Sequence, residues 1–290
     1  VVMDFADETW ILPVSGEMSL LGETVRGDFQ LSMNPNDGIY EVTGTNLELS
    51  LDAGITGISI IEGAGSFQFS PDGIAGTFTA SASLTGLDGV SFSLPEVVLA
   101  FNNMETERLG IAAKTDLNLS ALGAALEIGD FTQVSGNFSI SRQVVDGVEQ
   151  LMIGGRNISS SLGDVAGGYG ISVDEADLAL LISGTEQGSK YALMASGIST
   201  LNGFTDTAMS SAQPMAIRIN TLGEAVQEQI YNGQDMVQLA FDTGVAEQTF
   251  LLENATLDMG GNLGSITGDL RFAASLNSQG DVQLTLDARN

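Results

Sequence analysis

The chain has no cysteine and no histidine in 290 residues, and only one Trp, five Pro and nine Lys or Arg. Each shortage closes a route. Without Cys there are no disulfides, thiol nucleophiles or thiolate metal sites, and without His there is no imidazole ligand and no Ser-His-Asp triad. Nine basic residues against 37 Asp and Glu leave a formal net charge of −28. Such a field repels nucleic acid and anionic headgroups, so nucleic acid is not an expected partner. No apolar run approaches the ~20 residues of a membrane helix, so no transmembrane segment is expected. What remains is chemistry by oxygen ligands and carboxylates, or none.

What the chain does contain is glycine, 36 residues of it, and 43% hydrophobic residues, enough to bury a core. The segments between glycines alternate with period two. In Gly27-Asp28-Phe29-Gln30-Leu31-Ser32-Met33 the apolar side chains share one face, and Ser66–Ser70 and Asp281–Asp287 do the same. Asp37-Gly38, Asp72-Gly73, Asp88-Gly89, Asp146-Gly147, Asn202-Gly203 and Asn232-Gly233 supply turns, since Asp, Asn and Gly accept positive φ. The expected class is all-β, with a core drawn from Phe29, Leu31, Phe67, Phe69, Phe78, Phe138, Ile140, Leu178, Leu180, Ile217, Ile219 and Phe272. Leu222, Val226 and Ile230 lie four apart, which predicts a short helix over Leu222–Ile230, with a weaker counterpart over Met104–Ile111.

An internal repeat organises these strands. Gly27-Asp28-Phe29, Gly136-Asn137-Phe138 and Gly268-Asp269-Leu270 each open an alternation that passes through a Gly turn (Gly38, Gly147, Gly280) and closes on an Asn (Asn46, Asn157, Asn290). Pro95–Asn102 matches Pro214–Asn220, and Phe78–Leu87 matches Tyr191–Leu201. The unit is roughly 110 to 130 residues, too long for one coil of an ankyrin or leucine-rich array. The expected division is 1–26 as N-terminal edge strands or the end of a preceding unit, 27–135 and 136–267 as two units, and 268–290 as the start of a third. The architecture expected is an elongated array of two or so multi-strand units, sandwich-like or solenoid-like, sharing continuous or stacked sheets. The broken third copy reads as a window of a longer array or a processed subunit. Val1, Val2, Leu284, Leu286 and Asn290 would then lie on edge strands that template a neighbour.

Gly136–Ser141, Tyr191–Gly197 and Ile217–Val226 carry a resemblance to the tandem units of very long bacterial surface and secreted proteins, adhesin-like and RTX-associated. It covers about two thirds of the chain. It implies an extracellular or cell-surface location and a structural or adhesive role, frequently with Ca2+. The RTX nonapeptide is absent, and Gly260–Gly264 is only a fragment of it.

Asp174, Glu175 and Asp177 form the densest acidic cluster, and Glu175 and Asp177 on a strand would share a face suited to Ca2+. The plainer reading is a solvated strand start before the apolar run Leu178–Ile182. Asn34, Asn36 and Asp37 could also ligate Ca2+, although an Asx-turn explains them without a metal. Paired-carboxylate hydrolysis would want an aromatic platform that one Trp and four Tyr do not supply beside the acids, so no enzymatic activity is expected. Arg26-Gly27-Asp28 spells a cell-attachment tripeptide, but its repeat equivalents keep only the Gly-Asp/Asn part. Sequons occur at Asn118, Asn137, Asn157 and Asn254. The reading ranked first is a non-enzymatic extracellular structural protein, a repeat segment or a subunit of a fibre or sheath. It would assemble with copies of itself or neighbouring units. A Ca2+-dependent adhesin binding glycan comes second, and a periplasmic lipid-conducting β-groove third.

Overall fold

The computed structural model describes residues 2–4, 9–20, 23–34, 38–53, 56–85, 90–128, 132–145, 147–162, 170–185, 188–202, 208–211, 213–260, 264–276 and 282–289. They form nineteen strands: β1 (Val2–Asp4), β2 (Thr9–Leu20), β3 (Glu23–Asn34), β4 (Ile39–Ala53), β5 (Thr56–Ser70), β6 (Gly73–Thr85), β7 (Val90–Asn102), β8 (Thr115–Ile128), β9 (Thr132–Val145) and β10 (Val148–Leu162). There follow β11 (Gly170–Thr185), β12 (Gly188–Asn202), β13 (Ala208–Ser211), β14 (Met215–Asn220), β15 (Val226–Tyr231), β16 (Met236–Phe241), β17 (Glu247–Asp258), β18 (Ser265–Leu276) and β19 (Val282–Arg289).

Seventeen strands make one antiparallel sheet. The ladder runs in sequence order from β1 through β12. It continues through β14 to β17, β18 and β19, and β13 extends the β14 position against the far end of β17. This is the expected all-β array built on a continuous sheet.

Neither expected helix forms. Val226 and Ile230 are buried in strand β15, and Met104–Ile111 folds as turns closed by an Arg108–Ile111 bridge. A spacing of four is even, so it fits one face of a strand as well as one face of a helix. The flanking Gly223 and Gly233, both at positive φ, bracket the strand.

The sheet curls so that its apolar face meets itself. β10 and β11 pack against β4 and β5 across the interior, the sandwich-like alternative of the expectation. Ten of the twelve predicted core residues are buried, and Leu31 and Phe69 pack partly buried against them. Twist drives the curl. Glu23, at the start of β3, forms an ion pair with Arg142, near the end of β9. In a flat meander those positions lie at opposite ends of strands that run the same way. Six inter-strand steps of about 20–25° rotate β9 by roughly 120–150° relative to β3 and bring them together. Aromatic rings fill the interior: Phe92 on β7 meets Phe138 on β9 edge to face at 4.9 Å, over the small Ala121 and Ala124 of β8 between them.

The strands are long, twelve to sixteen residues in most cases, and nearly all are broken at mid-length by a β-bulge. Two residues oppose one between β3 and β4, β5 and β6, β8 and β9, β9 and β10, β11 and β12, and β17 and β18. Followed through the registers, these bulges form one transverse line across the sheet. On that line Asn46, Glu62, Asn157, Glu175 and Asn254 have φ of 50–56°, and the next residue turns inward. After the three Asn it is Leu47, Ile158 and Ala255, all fully buried. The repeated Gly sits opposite this kink. A Cβ on Gly136 would lie 2.5 Å from Ile158 Cδ1. The Gly…Asn repeat is therefore the sequence imprint of a bulge that bends and further twists each strand.

Candidate functional site: strand edges and an outer hairpin

Among the described residues both ends of the meander are edges. β1 covers β2 only at Thr9–Ile11, so from Leu12 to Leu20 β2 has a ladder on one side alone among the described residues. Among the described residues β19 has a ladder with β18 alone. At each edge the inner apolar face runs out from under cover. Val14, opposite Phe29, is 47% exposed, and Leu286, opposite the buried Phe272, is 39% exposed. The backbones of Val2 and Leu284 lie in β1 and β19. Val1 and Asn290 lie outside the described residues.

The candidate metal ligands do not gather. Asp174, Glu175 and Asp177 are all exposed on β11, but the bulge at Glu175 intervenes, and Ala176 between the last two points inward. Asp177 Oδ1 accepts a hydrogen bond from Asn232 Nδ2 at 2.9 Å. Asn34 ends β3, whereas Asn36 and Asp37 lie outside the described residues. Among the described residues no group of three Asp or Glu could hold a metal ion.

The Arg26-Gly27-Asp28 tripeptide lies in the middle of β3, not on a presented loop. Arg26 pairs with Glu17 at 2.8 Å, which raises its pKa. Asp28 accepts from Ser15 Oγ at 2.5 Å and Asn46 Nδ2 at 2.9 Å, and these bonds hold its carboxyl below the usual aspartate range. Each charge is already engaged within the sheet. Alongside, a polar cleft of about 370 Å³ is lined by Glu23, Thr24, Arg26, Glu48, Ser50 and Ser59. Elsewhere Tyr191 has a raised pKa because burial disfavours its phenolate.

Two buried asparagines escaped the sequence reading as a pair. Asn102, at the end of β7, donates through Nδ2 to the carbonyls of Thr106 and Ile111 and accepts from the Met104 amide. Asn220, at the end of β14, donates to Glu224 and Thr243 and accepts from Leu222. The following residue repeats too. Asn103 and Thr221 each donate a backbone N–H to the start of the neighbouring strand and accept its N–H through the side chain. The signal was present in the Pro95–Asn102 and Pro214–Asn220 match, but the match carries no hint that the Asn is its working residue.

What these locks close differs. After β7 comes a tight loop, and after β14 the hairpin β15–β16, a separate two-stranded sheet lying on the outer face of β10–β12. Val226, Ile230, Leu239 and Phe241 pack there on Ala179, Leu181 and Ala192, with Met152 and Met194 alongside. Arg218 lies 4.6 Å over the Phe241 ring and donates to the Ala240 carbonyl. Asn232 ties the hairpin tip to Asp177 of β11. The backbone approach is close, since a Cβ on Gly154 would stand 2.1 Å from the Tyr231 carbonyl oxygen.

Compared with protein-family models, curated proteins and solved structures, the chain has no significant match in any of the three. Among the described residues no helix is long and apolar enough to cross a membrane.

Proposed function

We propose that this chain is a non-enzymatic structural module of an extracellular or cell-surface array, joined to neighbouring units or copies by strand addition at its sheet edges. The observation that carries the reading is that, among the described residues, β2 beyond Ile11 and β19 have a ladder on one side and expose part of the inner apolar face. Strand addition extends the ladder and covers Val14 and Leu286 in one step. The acidic surface supports the same reading, because like-charge repulsion restrains unordered aggregation while leaving directional backbone pairing available in salt. The interior favours a packed module over a lipid conduit, since Phe67, Phe78, Phe101 and Phe138 fill it at 2% exposure or less.

The test is sedimentation of the purified chain across protein concentration at high salt, with Ca2+ and with chelator. Concentration-dependent growth that Val14→Lys and Leu286→Lys suppress, with folding intact by circular dichroism, supports edge assembly. A species that stays monomeric at every concentration overturns it. A monomer stabilised by Ca2+ would move the adhesin reading ahead.

A further inference from the structure

The repeat fixes what belongs beside β19. Aligning Asn290 with Asn46 and Asn157 places β19 on β4 and β10, and the registers agree. Asp28 opposite Thr45, Asn137 opposite Arg156 and Asp269 opposite Arg289 are one pair seen in three units. Leu286 then corresponds to Val42 and Ile153. Val42 lies between Leu31 and Phe67 and is buried, and Ile153 lies buried between Ile140 and Leu180. Leu286 has Phe272 on one side, no ladder on the other among the described residues, and 39% exposure. In both buried cases the cover is the third strand of the unit. Ile58-Ser59-Ile60-Ile61-Glu62 on β5 matches Ile171-Ser172-Val173-Asp174-Glu175 on β11, with Glu62 and Glu175 at φ of 56° and 52°. The same spacing carries Phe67 onto Leu180.

We propose that the side of β19 away from β18 takes a strand of this third-position type, antiparallel and in the β4–β5 register, supplied by a neighbouring unit of the array. The proposal rests on the edge-assembly reading and names the partner at one edge. The outer face selects between the two third strands. Thr285 and Asp287 are exposed there, and the register sets opposite them the equivalents of Gln68 and Ser66, or of Leu181 and Ala179. Leu181 and Ala179 lie under the β15–β16 hairpin. Gln68 needs no such cover, since it donates to Glu41, the equivalent of Thr285, at 3.1 Å. The β5 type therefore fits. β2 of a second copy does not. The ladder passes from β2 through β12 and then β14, β17, β18 and β19, reversing at each of an even number of steps, so β2 and β19 run the same way. With apolar faces matched their junction would be parallel, in a sheet that is antiparallel throughout.

The test appends a second copy of Leu47–Ser70 after Asn290, which completes the second strand and supplies the third. The same residues in shuffled order are the control. Leu286→Ala then reads the cover in denaturant unfolding. It should shift the equilibrium roughly threefold beside the shuffled segment and at least about thirtyfold beside the ordered one, because only there is Leu286 buried. Amide exchange over Thr285–Arg289 in the unsubstituted chains gives an independent reading, and the ordered segment should slow it at least about tenfold. Equal losses in the two chains with no slowing of exchange overturn the proposal. If the bare chain also grows with concentration, the edge-assembly reading stands and a second copy's β19 becomes the partner. Protection of Leu286 in a chain that never grows on its own supports the third-strand partner and leaves the self-assembly reading to fall alone.

Discussion

Strands β4–β6 and β10–β12 occupy equivalent places in the two halves of the molecule, pack against each other across the interior, and differ on their outer faces. On β5 the outer face is open, and Ile61 there is 46% exposed. On β11 the five residues Leu178–Ile182 are all buried, because alternate ones point into the interior and the rest lie under the hairpin. The same Asn lock ends β7 and β14, so the difference comes from what is inserted behind the lock. A sheet with one wet face accepted a second apolar layer where the chain supplied a hairpin to cover it.

Deleting the locks gives the largest expected effect. Asn102→Ala and Asn220→Ala each strand two carbonyls and one amide in a buried site, at a cost of about 3 kcal/mol each in denaturant unfolding. If the locks are equivalent the two losses match, whereas a much smaller loss for Asn220→Ala would mean the hairpin holds itself.

The outer faces are separated by a pair of truncations. Leu181→Ala, under the hairpin, should cost about 2–4 kcal/mol, whereas Ile61→Ala, on the open face of β5, should cost less than about 0.5 kcal/mol. Equal costs would sink the claim that only one half carries a second layer.

Arg142→Ala removes the ion pair joining β9 to β3 and leaves Glu23 mostly buried, with 13% of its side chain exposed. Partial solvent access holds the expected loss to about 1–2 kcal/mol, and Arg142→Lys should recover part of it.

The smallest effect is in pH. The folded pKa of Asp28 is depressed by Ser15 and Asn46, so its contribution is fully present above the unfolded aspartate pKa of about 3.9 and is lost as pH falls through the lower folded value. Asp28→Asn should flatten the acid limb of a stability–pH curve below about pH 4 and leave neutral pH nearly unchanged. An unaltered acid limb would show that those hydrogen bonds do not persist in solution.

The strand pattern was legible because a half-buried strand writes itself as alternation, and Phe29, Phe67, Phe138 and Phe272 were placed correctly from that alone. Glycine and asparagine at the repeat positions were legible as turns or caps, but their role as mid-strand bulges was not. Glu62 and Glu175 lie on the same line without any residue that advertises positive φ. The hairpin was misread as a helix because Val226 and Ile230 satisfy both periods. Of the candidate site, the strand character of Val282–Leu286 was legible from its alternation. The separation of Glu175 from Asp177 by a bulge was not.

Sequence by itself determined the strands, the polar turns, the apolar face and the exclusion of thiol and imidazole chemistry, since these follow from residue type and local period. Tertiary structure alone decided that the bulges align into one line, that twist brings Glu23 to Arg142, and that a hairpin covers one outer face. Those depend on registers accumulated over many strands, and a pairing between residues a hundred positions apart leaves no trace in either one's neighbours.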